Sequence, residues 1–196
     1  MSATVEFFWD PASPYTYLAA TQIEALAARH GARVQWKPFL IGKAFEATGN
    51  KMPATVPAKA QYMFKDLQLW SRHYQVPFRF PKQFPINGIT AMRMACALPE
   101  AAVGAFALAV MRAYWAEGAD ITQNEVLQAL AGGLGHDGPA LLARTQEPEV
   151  KERLKTNTEE AIRRGAFGAP SLFVGERLFW GNDRLGLLEE VLAGRL

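Results

Sequence analysis

From Val5 to Trp9 the chain is a short run rich in apolar β-formers, and Asp10-Pro11-Ala12 then supplies turn chemistry. Ser13-Pro14 reads as a helix start, a capping hydroxyl with proline at the first helical position. Leu18, Ile23 and Leu26 supply much of that helix's apolar face, and Gly31 marks its stop. Arg33 to Phe39 predicts a second strand, with Val34 and Trp36 on one face. Near the other end, Ser171 to Val174 and Arg177 to Trp180 are short β runs joined by Gly175-Glu176, a hairpin signal. Asn182 is placed to cap a last helix reaching Leu192, with Asp183 and Glu190 on its polar side.

Between these ends the pattern is helical. Met63, Leu67, Trp70 and Tyr74 recur at helical spacing on a segment starting near Pro57. Val103, Phe106, Val110 and Tyr114 do the same on a helix starting at Pro99. Ile121 through Val126 reads as a capping box with a hydrophobic staple, and Pro148 opens a helix that Gly165 closes. The order is βαβ, a helical block, then ββα. That is the order of an α/β, thioredoxin-like domain with a large all-helical insertion between its second and third strands. The expected division is residues 1–45 with 165–196 as the discontinuous thioredoxin-like domain, and 46–164 as the helical insertion. Fold alone assigns no function.

A chain of 196 residues is long enough to bury a sizeable core, and with 49% hydrophobic and 20% charged residues it reads as globular. A formal net charge of +2 without a basic run argues against nucleic acid or an anionic membrane as partner. No apolar run approaches the roughly 20 residues of a membrane span. Met1 to Glu6 lacks the basic-then-apolar pattern of a leader, and the single cysteine, Cys96, cannot form an internal disulfide. The expectation is a cytoplasmic protein.

Ser13 is the first candidate for chemistry. Its hydroxyl lies where unpaired backbone N–H groups and the positive end of a helix dipole point, a place that stabilises an anion such as a thiolate. The bland alternative is a plain N-cap worth about 1 kcal/mol. In thioredoxin-like folds this position carries the first cysteine of a C-x-x-C pair. Here the four residues are Ser13-Pro14-Tyr15-Thr16, so a dithiol–disulfide cycle is excluded at this site. Ala169-Pro170 precedes a strand; base rates favour a trans bond, whereas a cis bond would present Ala169's backbone to a peptide-like ligand. Asn182 and Asp183 read as helix-start residues, or as partners for the carboxylate and ammonium of a γ-glutamyl group. Lys43, Asn50, Lys51 and Lys59 lie in or after the loop that follows strand two. His30, His73 and His136 lack metal-ligand spacing and read as solvated, so no metal is expected. Cys96 reads as a buried helix residue.

Taken together, these stretches resemble a known family. The carriers are Phe7 to Ala19, Thr48-Gly49-Asn50-Lys51-Met52-Pro53, Pro57 to Met63, Phe84-Pro85-Ile86-Asn87, and Phe167 to Val174 running on to Phe179 through Leu185. The chain resembles the 2-hydroxychromene-2-carboxylate isomerases, within the kappa-class glutathione transferase and DsbA-like group of thioredoxin-like proteins. The resemblance implies glutathione as cofactor, with Ser13 on its sulfur and Ala169 on its cysteinyl backbone beside a cis-proline. It implies Gly181, Asn182 and Asp183 at the γ-glutamyl end. Asn50, with Lys51, Lys43 or Lys59, would face the glycyl carboxylate or a small aromatic acid substrate. It further implies reversible thiolate addition, bond rotation and elimination as the chemistry, and a homodimer as the assembly. Two other readings share these residues: a kappa-like glutathione transferase or peroxidase, and a non-catalytic binding module in which Ser13 only caps its helix.

Overall fold

The computed structural model describes residues 3–196. Met1 and Ser2, which open the segment read above for a leader, lie outside the described residues. Strand β1 (Thr4–Trp9) runs parallel to β2 (Arg33–Pro38) on one side and antiparallel to β3 (Ser171–Val174) on the other, and β4 (Arg177–Trp180) completes the order β2-β1-β3-β4. The register sets Phe7 between Trp36 and Leu172. Both faces of β1 are covered, which explains an apolar run where a half-exposed strand would alternate.

Val5, Phe7 and Trp9 belong to the larger core, with α1 (Pro14–Arg29), α4 (Ile89–Ala97) and α5 (Glu100–Arg112). Phe8, on the opposite face, packs edge-on against Phe39 and Phe173, with ring centroids 6.0 and 5.6 Å away. Ala44 of α2 (Ile41–Thr48) and Ala161 of α8 (Pro148–Arg163) close that second cluster. Glu6 shares its face with a ring of alternating charge. Lys37 Nζ is 2.6 Å from Glu6 and 2.9 Å from Glu160, and Arg164 Nη1 is 2.8 Å from Glu6 and 3.2 Å from Glu160. Burial raises the Glu6 carboxyl, but hydrogen bonds from Lys37 and Arg164 outweigh it and hold the group below its ordinary value. The ring fastens α8 to the sheet.

Helix α3 (Pro57–His73) buries Leu67 and half-buries Met63, Trp70 and the adjoining Tyr74, the face its pattern predicts. Its outer side leaves Tyr62 67% and Leu69 64% exposed. Helices α6 (Asn124–Gly133) and α7 (Gly138–Arg144) lead into α8, and α9 (Leu185–Leu192) ends the chain's regular structure.

Three local expectations are corrected. The capping box at Thr122 does not form, because the Asp120 carboxylate takes the Thr122 N–H and hydroxyl at 3.0 and 2.6 Å, and α6 begins only at Asn124. The helix that opens at Pro99 is α-helical only to Arg112 and gives way to a π turn at Ala113–Glu117, so Tyr114 lies beyond α5, although it is buried in the same core as Val103, Phe106 and Val110. Asn182 does not cap the last helix: it opens a 3₁₀ turn, Asn182–Arg184, and α9 starts at Leu185 without a side-chain cap.

Gly104 shows how closely α5 crosses the sheet. A Cβ there would lie 2.5 Å from Trp36 Nε1. The indole cannot retreat easily, since it donates to Glu24 at 2.6 Å and packs edge-on to Phe7 at 4.8 Å. Glycine to alanine inside a helix ordinarily gains about 1 kcal/mol. At this position Gly104→Ala is expected to lose about 2 kcal/mol through overpacking, read as a lower urea midpoint.

Candidate active site

Strand β1 delivers its turn to the mouth of α1, and Ser13 is the helix's N-cap with extended backbone. The Ser13 hydroxyl accepts the Thr16 N–H at 3.2 Å and donates to the Ala169 carbonyl at 2.9 Å. It is only 5% exposed. This one oxygen joins the first helix to a loop 156 positions later.

The Ala169-Pro170 bond is cis, against the base-rate expectation. The loop before it is held on two sides. Asn50 Nδ2 donates to the Phe167 carbonyl at 2.8 Å, while Asn50 Oδ1 accepts the Lys51 N–H at 2.8 Å. Phe167 packs on Trp180 at 4.7 Å, and Gly168 lies so close to that indole that a Cβ would come within 2.6 Å of Nε1. Beyond β4, the Gly181 N–H donates to the Pro170 carbonyl at 3.1 Å. Gly181 has φ +99°, which only glycine adopts readily. The next residue, Asn182, is 2% exposed, and its Nδ2 has no hydrogen-bond partner among the described residues. A buried, unpartnered amide is a donor left for a ligand oxygen. Asp183 lies at the exposed rim.

Ser13, Ala169, Gly181, Asn182 and Asn50 therefore converge on one set of linked loops. The three lysines stand on the surface. Lys43 pairs with Glu46 at 2.7 Å on the surface, and Lys51 and Lys59 extend from exposed positions.

Other residues stand beside the site that the sequence reading did not single out. The Tyr15 hydroxyl donates to Asp66 Oδ2 of α3 at 2.8 Å, and Tyr74 donates to the Asn182 carbonyl at 3.2 Å. Burial, then Asp66, then Tyr62 and Asp183 raise the Tyr15 phenol, and burial raises Tyr74 with a further contribution from Asp183. Both phenols stay protonated donors. Two acidic groups, Asp66 and Asp183, thus act on the same Tyr15. The signal for Asp66 was present as a Tyr62/Asp66 pair one helical turn apart, but only tertiary packing aims it at Tyr15. Trp115, delivered by the π turn, donates its Nε1–H to the Pro11 carbonyl at 2.8 Å. Asp10 reads in the sequence as turn chemistry. It is 4% exposed, its carboxylate accepts the N–H groups of Ala12 at 2.9 Å and Ile41 at 3.0 Å, and burial pushes it up to about 6.

Cys96 is buried and its thiol is pushed up to about 11, so it is a poor nucleophile. His30 corrects the solvated reading: its ring lies 3.1 Å from Glu189 and its side chain is 20% exposed. Among the described residues no cluster of His, Cys, Asp or Glu could hold a metal, and no helix is long and apolar enough to cross a membrane. An open groove of about 620 Å³ between α1, β2 and α5 contains none of the site residues. The arrangement can hold a ligand anion at a helix mouth, a peptide-like backbone along Ala169, and a polar end group at Asn182 and Asp183.

Residues 4–193 match the DSBA-like thioredoxin domain family. The chain is 34% identical to 2-hydroxychromene-2-carboxylate isomerase of Sphingobium xenophagum, over 98% of this chain and 99% of that protein. It is also 34% identical to glutathione S-transferase kappa 1 of Homo sapiens, over 96% of this chain and 90% of that protein. A solved structure of 2-hydroxychromene-2-carboxylate isomerase superposes with a TM-score of 0.90 at 29% identity, covering 97% of this chain and 95% of the other.

Proposed function

The chain belongs to the DSBA-like thioredoxin domain family, and we propose that it is a glutathione-dependent isomerase of 2-hydroxychromene-2-carboxylate or a similar acid of aromatic catabolism. The observation that carries the reading is Ser13: a hydroxyl at the N-terminus of α1, hydrogen-bonded to the residue before a cis-proline, with no thiol in the Ser13–Thr16 turn. Glutathione, when bound, would supply a thiolate whose reversible addition makes a conjugated double bond single long enough to rotate.

The chain's own groups divide the remaining work. Ser13 turns its hydroxyl proton from the Ala169 carbonyl to the sulfur, favouring the charged form together with the helix N-terminus. Ala169's backbone aligns the cysteinyl unit. Asn182 Nδ2 offers its unused N–H groups to the γ-glutamyl carboxylate, and Asp183 with Asp66 favours the ammonium. Asn50 and the lysines Lys43, Lys51 and Lys59 would meet the glycyl carboxylate or the acidic substrate. The same reading includes a cytoplasmic location and a homodimer, the latter in keeping with the exposed Tyr62, Phe64 and Leu69.

The kappa transferase relative at equal identity makes conjugation the second reading. The assay is 2-hydroxychromene-2-carboxylate with enzyme, with and without glutathione, against a chromogenic halonitrobenzene with glutathione. Isomerisation that requires glutathione without consuming it is the expected result. Conjugation of the halonitrobenzene without effect on the chromene would overturn the isomerase reading in favour of the transferase.

A further inference from the structure

We propose that Asp10 is the positioning residue of this site, holding Ser13 in place by pinning the turn that carries it to the first residue of α2. The inference rests on the reading of Ser13 given above and assigns that serine a support.

A turn alone needs less than the structure provides. An aspartate that accepts the N–H two residues ahead is common turn chemistry, and Asp10 Oδ1 does this with Ala12. Its second oxygen goes further and accepts the Ile41 N–H, 31 residues away at the start of α2. The Asp10 backbone carbonyl accepts the Ser13 N–H at 3.1 Å. One residue thus fixes the serine's own amide, the residue before it, and the neighbouring helix.

These bonds close a ring. From Ile41 the chain runs through α2 to Asn50, whose amide holds the Phe167 carbonyl. Two residues on, the Ala169 carbonyl receives the Ser13 hydroxyl. The three loops at the ends of β1, β2 and the segment before β3 therefore hold one another, and Asp10 contributes three acceptors, both carboxylate oxygens and its backbone carbonyl.

The choice of residue supports a role beyond turn closure. The carboxylate is buried, and its partners are two backbone N–H groups with no cation among them. Such a group costs stability when ionised. A serine or asparagine could accept from Ala12, but neither can present two acceptors to both N–H groups. A residue that weakens the fold while ordering a site is what a functional constraint looks like.

The test titrates the ultraviolet thiolate band of glutathione bound to wild type, Asp10→Asn, Ile41→Pro and Thr158→Val, with glutathione affinity by calorimetry and urea midpoints for each. Ile41→Pro deletes the one N–H that Asp10 Oδ2 accepts, at a first helical position where proline is tolerated. Thr158→Val deletes the neighbouring bond, from the Leu40 N–H to Thr158 Oγ1 at 3.1 Å, and serves as the structural control. Asp10→Asn and Ile41→Pro are each expected to bind glutathione about tenfold more weakly and to hold roughly tenfold less of it as thiolate at neutral pH. Thr158→Val is expected to lower the urea midpoint and leave the band unchanged. A normal wild-type band that neither Asp10→Asn nor Ile41→Pro alters would overturn the inference alone. So would a Thr158→Val band shifted as far as theirs, because any loosening of the loop would then suffice. No band in wild type would overturn the Ser13 reading and this inference with it.

Discussion

Ser13→Ala is expected to lower glutathione-dependent isomerisation at neutral pH by roughly 10- to 100-fold. The figure follows from one hydrogen bond to a charged sulfur, worth about 1.5–3 kcal/mol, which the alanine cannot donate. Free thiols ionise near 8.5, so at neutral pH the wild-type hydroxyl and helix N-terminus convert a small thiolate fraction into a large one. The deficit should therefore shrink as pH rises past about 9, where the thiol ionises without help. A structural cap would behave differently. Losing the Thr16 N–H partner costs about 1 kcal/mol of stability at any pH and no activity once the protein is folded. Comparing kcat/KM at neutral and alkaline pH separates the two roles.

Asp10→Asn should remove a pH dependence of stability of about 3 kcal/mol. The Asp10 carboxyl stands near 6 in the folded protein against 3.8 unfolded. A raised carboxyl favours folding while protonated, so its contribution is complete below 3.8 and is lost as pH climbs through about 6. Wild type should therefore lose stability relative to Asp10→Asn between about pH 3.5 and 7.5, measured as the difference in urea unfolding free energy. Working with the difference cancels Glu6, whose lowered carboxyl gives the opposite trend in both proteins. A difference that stays flat with pH would mean the Asp10 carboxyl is not desolvated.

Much of this architecture is local chemistry and was legible as such. The β1 run, the Ser13-Pro14 helix start and the Gly175-Glu176 hairpin each carry their own signal, and the sheet forms from those segments. What could not be read was competition between neighbours. Asp120 takes the N–H that a Thr122 cap would need a partner for, and a 3₁₀ turn over Asn182–Arg184 comes between Asn182 and the helix it looked placed to cap. The site was legible where one residue type in one place suffices, as at Ser13. It was not legible where two distant segments must meet. Tyr15 with Asp66, Trp115 with Pro11 and Asp10 with Ile41 are pairs whose members look ordinary until packing brings them together. Lys43 illustrates the reverse: its sequence context reads as a loop, but it is carried on α2, where it pairs with its helix neighbour Glu46.

The most direct test of the central claim is the ultraviolet difference spectrum of glutathione mixed with wild-type protein and with Ser13→Ala, titrated across pH. A thiolate band that forms near neutral pH in wild type and moves to higher pH in Ser13→Ala is the predicted result. No band in either protein would contradict the account, leaving Ser13 as a helix cap and the site without its nucleophile.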